Sequence, residues 1–411
     1  MNEHESGTSY SALVDSLAER SDSRILLAIM DGVGDLPISR LGDRTPLEAA
    51  ETPNMDSLAG KSALGMHVPI ARAITPGSGP AHLALFGYDP LIHTIGRGML
   101  AAIGIGLDLR KGDLAARINF CTVDDEGVVT DRRAGRISTR TCSELVELLS
   151  EIEIDGVELH VAPVKEHRAC VVFRGKDLSA SLTDGDPARN GRKPRTVTAT
   201  NERAVHSAAV VNEFIDRSRI LLRDSHPANA ILLRGFSLYR PMPTMEERFL
   251  LRAGVVALYP MYKGAASLVG MEILPCISDS IECEADSVRK AFSSGFTFVF
   301  MHYKPTDRYG EDGNVEAKIR AIEDFDRILP EMLDAGPDVV CITGDHCTPC
   351  SMKNHSWHTV PVLIHGGPQR TGDCSRFTER QASRGSLGTF RALELLPLLM
   401  AAAGKLRKFG A

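Results

Sequence analysis

Ser78 stands between two glycines in Ile74-Thr75-Pro76-Gly77-Ser78-Gly79-Pro80-Ala81-His82, a stretch whose Gly and Pro residues favour a tight turn. Neighbours without a Cβ leave its oxygen open to close approach. The apolar Leu83-Ala84-Leu85-Phe86 that follows predicts the first turns of a buried helix. The turn would then present Ser78 at a helix N-terminus, where backbone N–H groups and the helix dipole favour a phosphate or other anion. Two readings stand for this serine: a helix cap, or a nucleophile. Metal-ligand residue types near both ends of the chain bear on the choice. Asp31 closes the apolar run at 24–30, Asp307 follows Met301-His302-Tyr303-Lys304-Pro305-Thr306, and Asp345-His346 closes the run at 338–344, with His355 shortly after. Carboxylate and imidazole ligands together suit Mn²⁺, Mg²⁺ or Zn²⁺. Two such ions a few ångströms apart would clamp the attacking and leaving oxygens of a phosphoryl transfer. One of them would make the Ser78 hydroxyl a nucleophile at neutral pH. Taken singly, Asp31 reads as well as a turn former before Gly32, and each histidine as a structural one. The joint pattern is what points to chemistry.

The elements that must position these residues are legible as periodicity. The run at 24–30 is continuous and apolar, the pattern of a parallel strand buried on both faces, and it places Asp31 at a strand carboxyl end where ligands gather in α/β sheets. Thr45-Pro46 and Thr52-Pro53 each read as a cap followed by Pro at the first helical position. After Tyr88-Asp89-Pro90 the texture turns Gly-rich, with strands predicted at 114–123 and 128–130 and helix at 139–151. A β pair follows at 158–163 and 168–173, then a polar loop over 183–195 and helix over 202–222. A second strand series is read at 230–235, 255–259, 296–302, 338–346 and 360–366, with helix over 314–333. The expectation is an α/β fold: a doubly wound sheet domain built from residues 23–92 and 264–411, an inserted α+β domain at 93–263, and a mobile extension at 1–22.

The composition is that of an ordinary globular chain: 411 residues, 43% hydrophobic and 24% charged, long enough for two domains. A formal charge of -6 offers no basic footprint for nucleic acid. No apolar run is long enough to span a bilayer, and the polar first 20 residues lack the apolar core of a signal peptide. Nine cysteines at scattered spacing suggest no disulfide framework and point to a reducing cytoplasm. Cys347-Thr348-Pro349-Cys350 is a lone C-x-x-C without the second pair a zinc knuckle needs.

Many ordered motifs make the resemblance specific. Among them are Asp31-Gly32, Thr45-Pro46-Leu47-Glu48-Ala49-Ala50, Pro76-Gly77-Ser78, Gly87-Tyr88-Asp89-Pro90, Gly96-Arg97-Gly98, Asp131-Arg132-Arg133-Ala134-Gly135-Arg136, Thr306-Asp307 and Thr343-Gly344-Asp345-His346. In these, and over nearly the whole chain after about residue 24, the sequence resembles the cofactor-independent phosphoglycerate mutases of the archaeal type, within the alkaline phosphatase superfamily. The resemblance implies an alkaline-phosphatase-like domain carrying two divalent ions, Mn²⁺ or Mg²⁺ ahead of Zn²⁺, and an inserted phosphotransfer domain. It implies a phosphoserine at Ser78 and a small phosphorylated hydroxy acid as substrate, in a glycolytic isomerase. Asp31, Ser78, Asp345 and His346 would hold one ion. Asp307, Glu311 and His355 would hold the other, Glu311 standing four residues after Asp307 and so on the same face of a helix. Arg97, Arg132, Arg133, Arg136 and Arg234 become candidate substrate ligands, Lys263 a stabiliser of the transferring phosphoryl, and Asp184 and Asp186 candidate general bases. Each arginine reads alternatively as a surface ion pair.

The chain departs from the family pattern at four places. Glu311 stands for a histidine, Gly79 for an acidic residue after the nucleophile, Trp357-His358 for Gly-Asp, and Ala188 for a histidine. Two further readings therefore stand beside the mutase: a biosynthetic paralogue moving a phosphoryl or phosphonate-type group to another hydroxy acid, and a non-catalytic binding protein on the same fold.

Overall fold

The structure, a computed structural model, describes residues 10–93 and 96–410. It forms two units. Of the described residues, one comprises 10–93, Pro243–Tyr259 and 269–410, and the other 96–242 and Pro260–Leu268. Along the chain the strands are β1 (Ile25–Met30), β2 (Ala63–Val68), β3 (Leu114–Val123), β4 (Val129–Asp131), β5 (Val157–Lys165), β6 (Arg168–Gly175) and β7 (Ala230–Leu238). They continue with β8 (Ala253–Ala257), β9 (Glu272–Ile273), β10 (Phe298–Tyr303), β11 (Val339–Thr343), β12 (Val360–His365) and β13 (Gly388–Arg391).

The first unit is an α/β layer structure around an eight-stranded sheet in the order β13-β2-β12-β11-β1-β10-β8-β9. The centre, β11-β1-β10-β8, is parallel, and β12 runs antiparallel to both its neighbours. Every residue of β1 is buried, as its unbroken apolar run requires of a strand covered on both faces. Phe325, Ile328, Leu329 and Met332 of the helix Val315–Asp334 pack into this core with Val288 and Phe292 of the helix Ile281–Ser293. Thr45 closes the expected cap as a full capping box with Glu48, whereas Thr52 makes no side-chain cap.

The second unit is α+β. Its five strands pair antiparallel as β4-β3-β6-β5 with β7 beside β3. Alternation decides its two faces. Leu114, Ala116, Ile118 and Phe120 of β3, with Ile231 and Leu233 of β7, pack on the helices Thr139–Leu149 and Val205–Leu222.

One strand grouping and two boundaries differ from the sequence-based expectation. The strand read at 230–235 with the second series is β7, which pairs with β3 in the sheet of the second unit. Residues 243–259 belong to the first unit, because β8 adds in parallel to β10, while 260–268 belong to the second, where Gly264 approaches the Leu100 carbonyl so closely that a Cβ would lie 2.0 Å from its oxygen. The extension read at 1–22 contains an ordered helix, Tyr10–Leu17, which buries Val14 and pairs Asp15 with Arg248 at 3.0 Å; residues 1–9 lie outside the described residues.

Candidate active site

Three adjacent parallel strands end side by side and deliver the acidic residues. Ile29 of β1 is level with His302 of β10 and Thr343 of β11, so Asp31, Lys304 and Asp345 emerge together at the carboxyl edge. The backbone there is drawn tight. Gly32 adopts φ +60, and a Cβ on it would lie 2.3 Å from Thr348 Oγ1 and 2.8 Å from Asp307 Oδ1. Asp307 and Glu311 ride on the helix Pro305–Asp312 that follows β10, as expected.

Ser78 is the first residue of the helix Ser78–Leu85, with Gly77 at the cap and no side-chain cap bond. This sets aside the capping reading. The Ser78 hydroxyl is instead buried and lies 3.2 Å from His346 Nε2. One turn on, His82 Nδ1 donates to the Ser78 carbonyl at 2.8 Å and lies 3.3 Å from Asp345 Oδ2.

Two donor groups form around His346. Asp31, Asp345 and His346 are one, and Asp307, His346 and His355 the other, each with its donor atoms within 4.8 Å of one another. The imidazoles of His346 and His355 stack with centroids 3.6 Å apart. Hydrogen bonds fix both tautomers. Thr348 Oγ1 gives its proton to Asp307 Oδ1 at 2.6 Å, so at its 3.0 Å contact with His346 Nδ1 it can only accept. His355 Nδ1 must likewise donate to the Pro76 carbonyl at 2.9 Å. In the neutral ring each Nε2 then carries a lone pair, which is the form that binds a metal ion.

Electrostatics agree with a cation site. Burial, then the nearby Asp31 carboxylate, pushes the Asp345 carboxyl well up, and its Oδ2 has no hydrogen-bond partner. Burial also acts to raise Asp31, but Lys304, His302 and His346 outweigh it and hold that carboxyl well below the ordinary range. Lys304 Nζ bonds Asp31 Oδ2 at 2.8 Å and Asp307 Oδ2 at 2.5 Å, one ammonium shared by two buried carboxylates. Burial first, and the neighbouring His355, lower His346 to about 3, so it stays neutral. Three buried carboxylates and two imidazoles make a mixed oxygen and nitrogen donor set that fits divalent ions.

Glu311 is not brought into either group; His346 takes the third place beside Asp307 and His355. The Glu311 carboxyl is raised by burial and by Asp307. Trp357 is 46% exposed and stacks on His358. Cys347 and Cys350 are buried free thiols. The sequence reading missed Lys304, Thr348, His302 and buried Lys318. Lys318 Nζ donates to Asp35 at 2.9 Å and to the carbonyls of Gly32 and Thr348 at 3.0 and 2.9 Å, pinning the Asp31 turn to the loop after His346. A lysine on the buried face of an amphipathic helix was the available signal.

The second unit gathers its cations by itself. Asp186 accepts from Arg132 Nε and Nη2 at 3.0 and 2.6 Å, from Arg234 at 3.1 Å and from the Ala188 N–H at 2.8 Å. Burial pushes its carboxyl up, but these bonds outweigh it and leave it below the ordinary range. Asp184 is exposed and accepts from the Gly235 N–H. Asp131 folds the segment after β4 by accepting from the N–H groups of Arg133 and Gly135. Arg117 and Arg234 are direct cross-strand partners on the sheet face opposite the helices Thr139–Leu149 and Val205–Leu222. The Asp186 carboxylate meets the Arg234 charge there. Buried His167 is lowered to about 3 by burial, then by Arg168, Arg117, Arg133 and Arg136. Arg117 and Arg168 were missed, although a charge inside an alternating apolar strand marks a position off the core face. Arg97 begins the helix Arg97–Gly104, and Lys263 lies in the helix Pro260–Leu268.

Residues 59–229 match the family model described as 2,3-bisphosphoglycerate-independent phosphoglycerate mutase. A probable enzyme of that name from Thermus thermophilus is 47% identical over 403 residues, 97% of this chain and 99% of the relative. One from Aquifex aeolicus is 45% identical over 408 residues, 97% of this chain and all of the relative. Among solved structures, a Pyrococcus horikoshii protein matches with a TM-score of 0.82 and 32% identity over 95% of this chain and 99% of its own. The cofactor-independent phosphoglycerate mutase of Thermoplasma acidophilum gives 0.69 and 31% over 93% of this chain and 100% of its own.

Proposed function

Because this chain belongs to the 2,3-bisphosphoglycerate-independent phosphoglycerate mutase family, we propose that it interconverts 3-phosphoglycerate and 2-phosphoglycerate through a phosphoserine at Ser78. The observation that carries the reading is the buried Ser78 hydroxyl at a helix N-terminus, 3.2 Å from the histidine common to both donor groups. Asp31, Asp345 and His346 would hold one divalent ion, and Asp307, His346 and His355 the second. Bound there, the ions would lower the barrier to Ser78 ionisation and neutralise charge on the transferring phosphoryl.

The chain's own groups do the rest. Ser78 Oγ–H is oriented toward His346 Nε2, and the helix N-terminus behind it favours the incoming anion. Lys304 adds a fixed positive charge at the same carboxylates. In the second unit Arg117, Arg132, Arg133, Arg136, Arg168 and Arg234 would bind the carboxylate and phosphate of the glycerate, with Arg97 and Lys263 as further candidates. Asp186, held in its charged form by Arg132 and Arg234, is better suited to fixing those arginines than to accepting a proton. Nine free thiols support placement in a reducing cytoplasm.

The test is a coupled assay of both phosphoglycerates with Mn²⁺ or Mg²⁺, with intact-mass detection of phosphorylated enzyme. Ser78→Ala should abolish turnover and the phosphorylated species while retaining the fold. Turnover in that variant would end the covalent mechanism. Activity only on other phosphorylated or phosphonate hydroxy acids would favour the paralogue suggested by Gly79, Ala188, Glu311 and Trp357.

A further inference from the structure

Seven of the nine cysteines are buried; Cys276 and Cys283 are only partly so, and both lie at the start of one helix. Cys283 is the third residue of the helix Ile281–Ser293, whose Ser280 cap accepts from the Cys283 N–H at 3.3 Å. The Ile277 N–H donates to Cys283 Sγ at 3.2 Å. Cys276 Sγ lies 3.4 Å from Ser287 Oγ on the next turn of the same helix. Ile277 directly follows Cys276 in the chain, so both cysteines lie against the first turns of this one helix.

The two sulfurs differ in character. Hydrogen bonds from Ser278 and from the Ile277 N–H hold the Cys283 thiol below its ordinary value, outweighing its slight burial. Burial pushes Cys276 up. A helix N-terminus adds its dipole in favour of a thiolate at Cys283. Burial likewise raises the other seven, Cys121, Cys170 and Cys350 to about 12.

We propose that Cys276 and Cys283 form a peroxide-sensitive dithiol, with Cys283 the attacking sulfur and Cys276 the resolving one. In the first step the Cys283 thiolate attacks one oxygen of hydrogen peroxide. The S–O bond forms, the O–O bond breaks, and the hydroxide released takes up a proton to leave as water, giving a sulfenic acid. In the second step Cys276 sulfur attacks Cys283 sulfur. The S–S bond forms, the S–O bond breaks, and a second water leaves with the Cys276 proton. The pair loses two electrons and the peroxide gains them. The disulfide would fasten the 276–280 loop to the first turn of the helix Ile281–Ser293.

The test uses the full chain treated with a small molar excess of hydrogen peroxide, followed by peptide mapping without reductant. The expected product is a Cys276–Cys283 cross-linked peptide lacking two hydrogens, restored by dithiothreitol. Cys276→Ser should stop at a sulfenic acid on Cys283 that dimedone labels. Cys283→Ser should give neither cross-link nor label at Cys276. Before oxidation, iodoacetamide at pH 7 should modify Cys283 on the order of tenfold faster than Cys276. Circular dichroism of both variants checks that they fold. Equal alkylation of the two, or oxidation that consumes thiols without this cross-link, would overturn the proposal.

Discussion

Thr348 shows how much one hydroxyl can settle. By donating to Asp307 it can only accept from His346 Nδ1, and that leaves the His346 Nε2 lone pair facing Ser78. Thr348→Val removes the acceptor while keeping the shape, so Mn²⁺ affinity measured by calorimetric titration should fall by roughly 10- to 100-fold. An unchanged affinity would mean that the tautomer is held some other way. Glu311 tests the opposite case. It stands near Asp307 but outside both donor groups, so Glu311→Gln should leave the bound metal per chain unchanged. Loss of one ion in that variant would restore it as the ligand that the i, i+4 spacing suggested.

At the level of elements, the site depends on loops that the sheet alone does not hold. β1 and β11 deliver Asp31 and Asp345, but the turns after them are tied by Lys318. Lys318 is fully buried, and its ion pair with Asp35 is 2.9 Å long. Lys318→Met would strand a buried carboxylate and two carbonyls, a loss of about 3–5 kcal/mol in stability by denaturant titration. Turnover should fall further than stability alone predicts, because both metal-donor loops lose their brace. A variant with wild-type stability would show that the Asp35 side chain finds enough support in the Leu36 and Cys350 N–H groups.

Over the whole molecule, buried neutral histidines set the response to acid. His67 on β2 donates from Nε2 to the Gly344 carbonyl at 3.0 Å, and burial lowers it to about 4 from an ordinary 6.5. The folded state resists its protonation while the unfolded chain accepts it. The contribution is therefore complete above about pH 6.5 and is lost as pH falls from there toward 4, roughly 3 kcal/mol for this residue. Urea midpoints should drop over that window, and His67→Gln should flatten the drop. Parallel slopes for the two proteins would mean that His67 takes no part.

The order of the chain already determined the parallel centre of the first sheet. A run such as Ile25–Met30 has no polar face to show water, so it must be covered on both sides and must end in a loop. Asp31, Asp307, Asp345, His346 and His355 were legible for the same reason, as ligand types just beyond such runs or helix starts. Local pattern could not say which strand lies beside which. Only the pairing of β7 with β3 put Arg234 opposite Arg117, and only the β11-β1-β10 order made His346 common to two donor groups. Those contacts join residues far apart in sequence, and their partners are chosen by packing and charge in the folded chain, which periodicity does not encode.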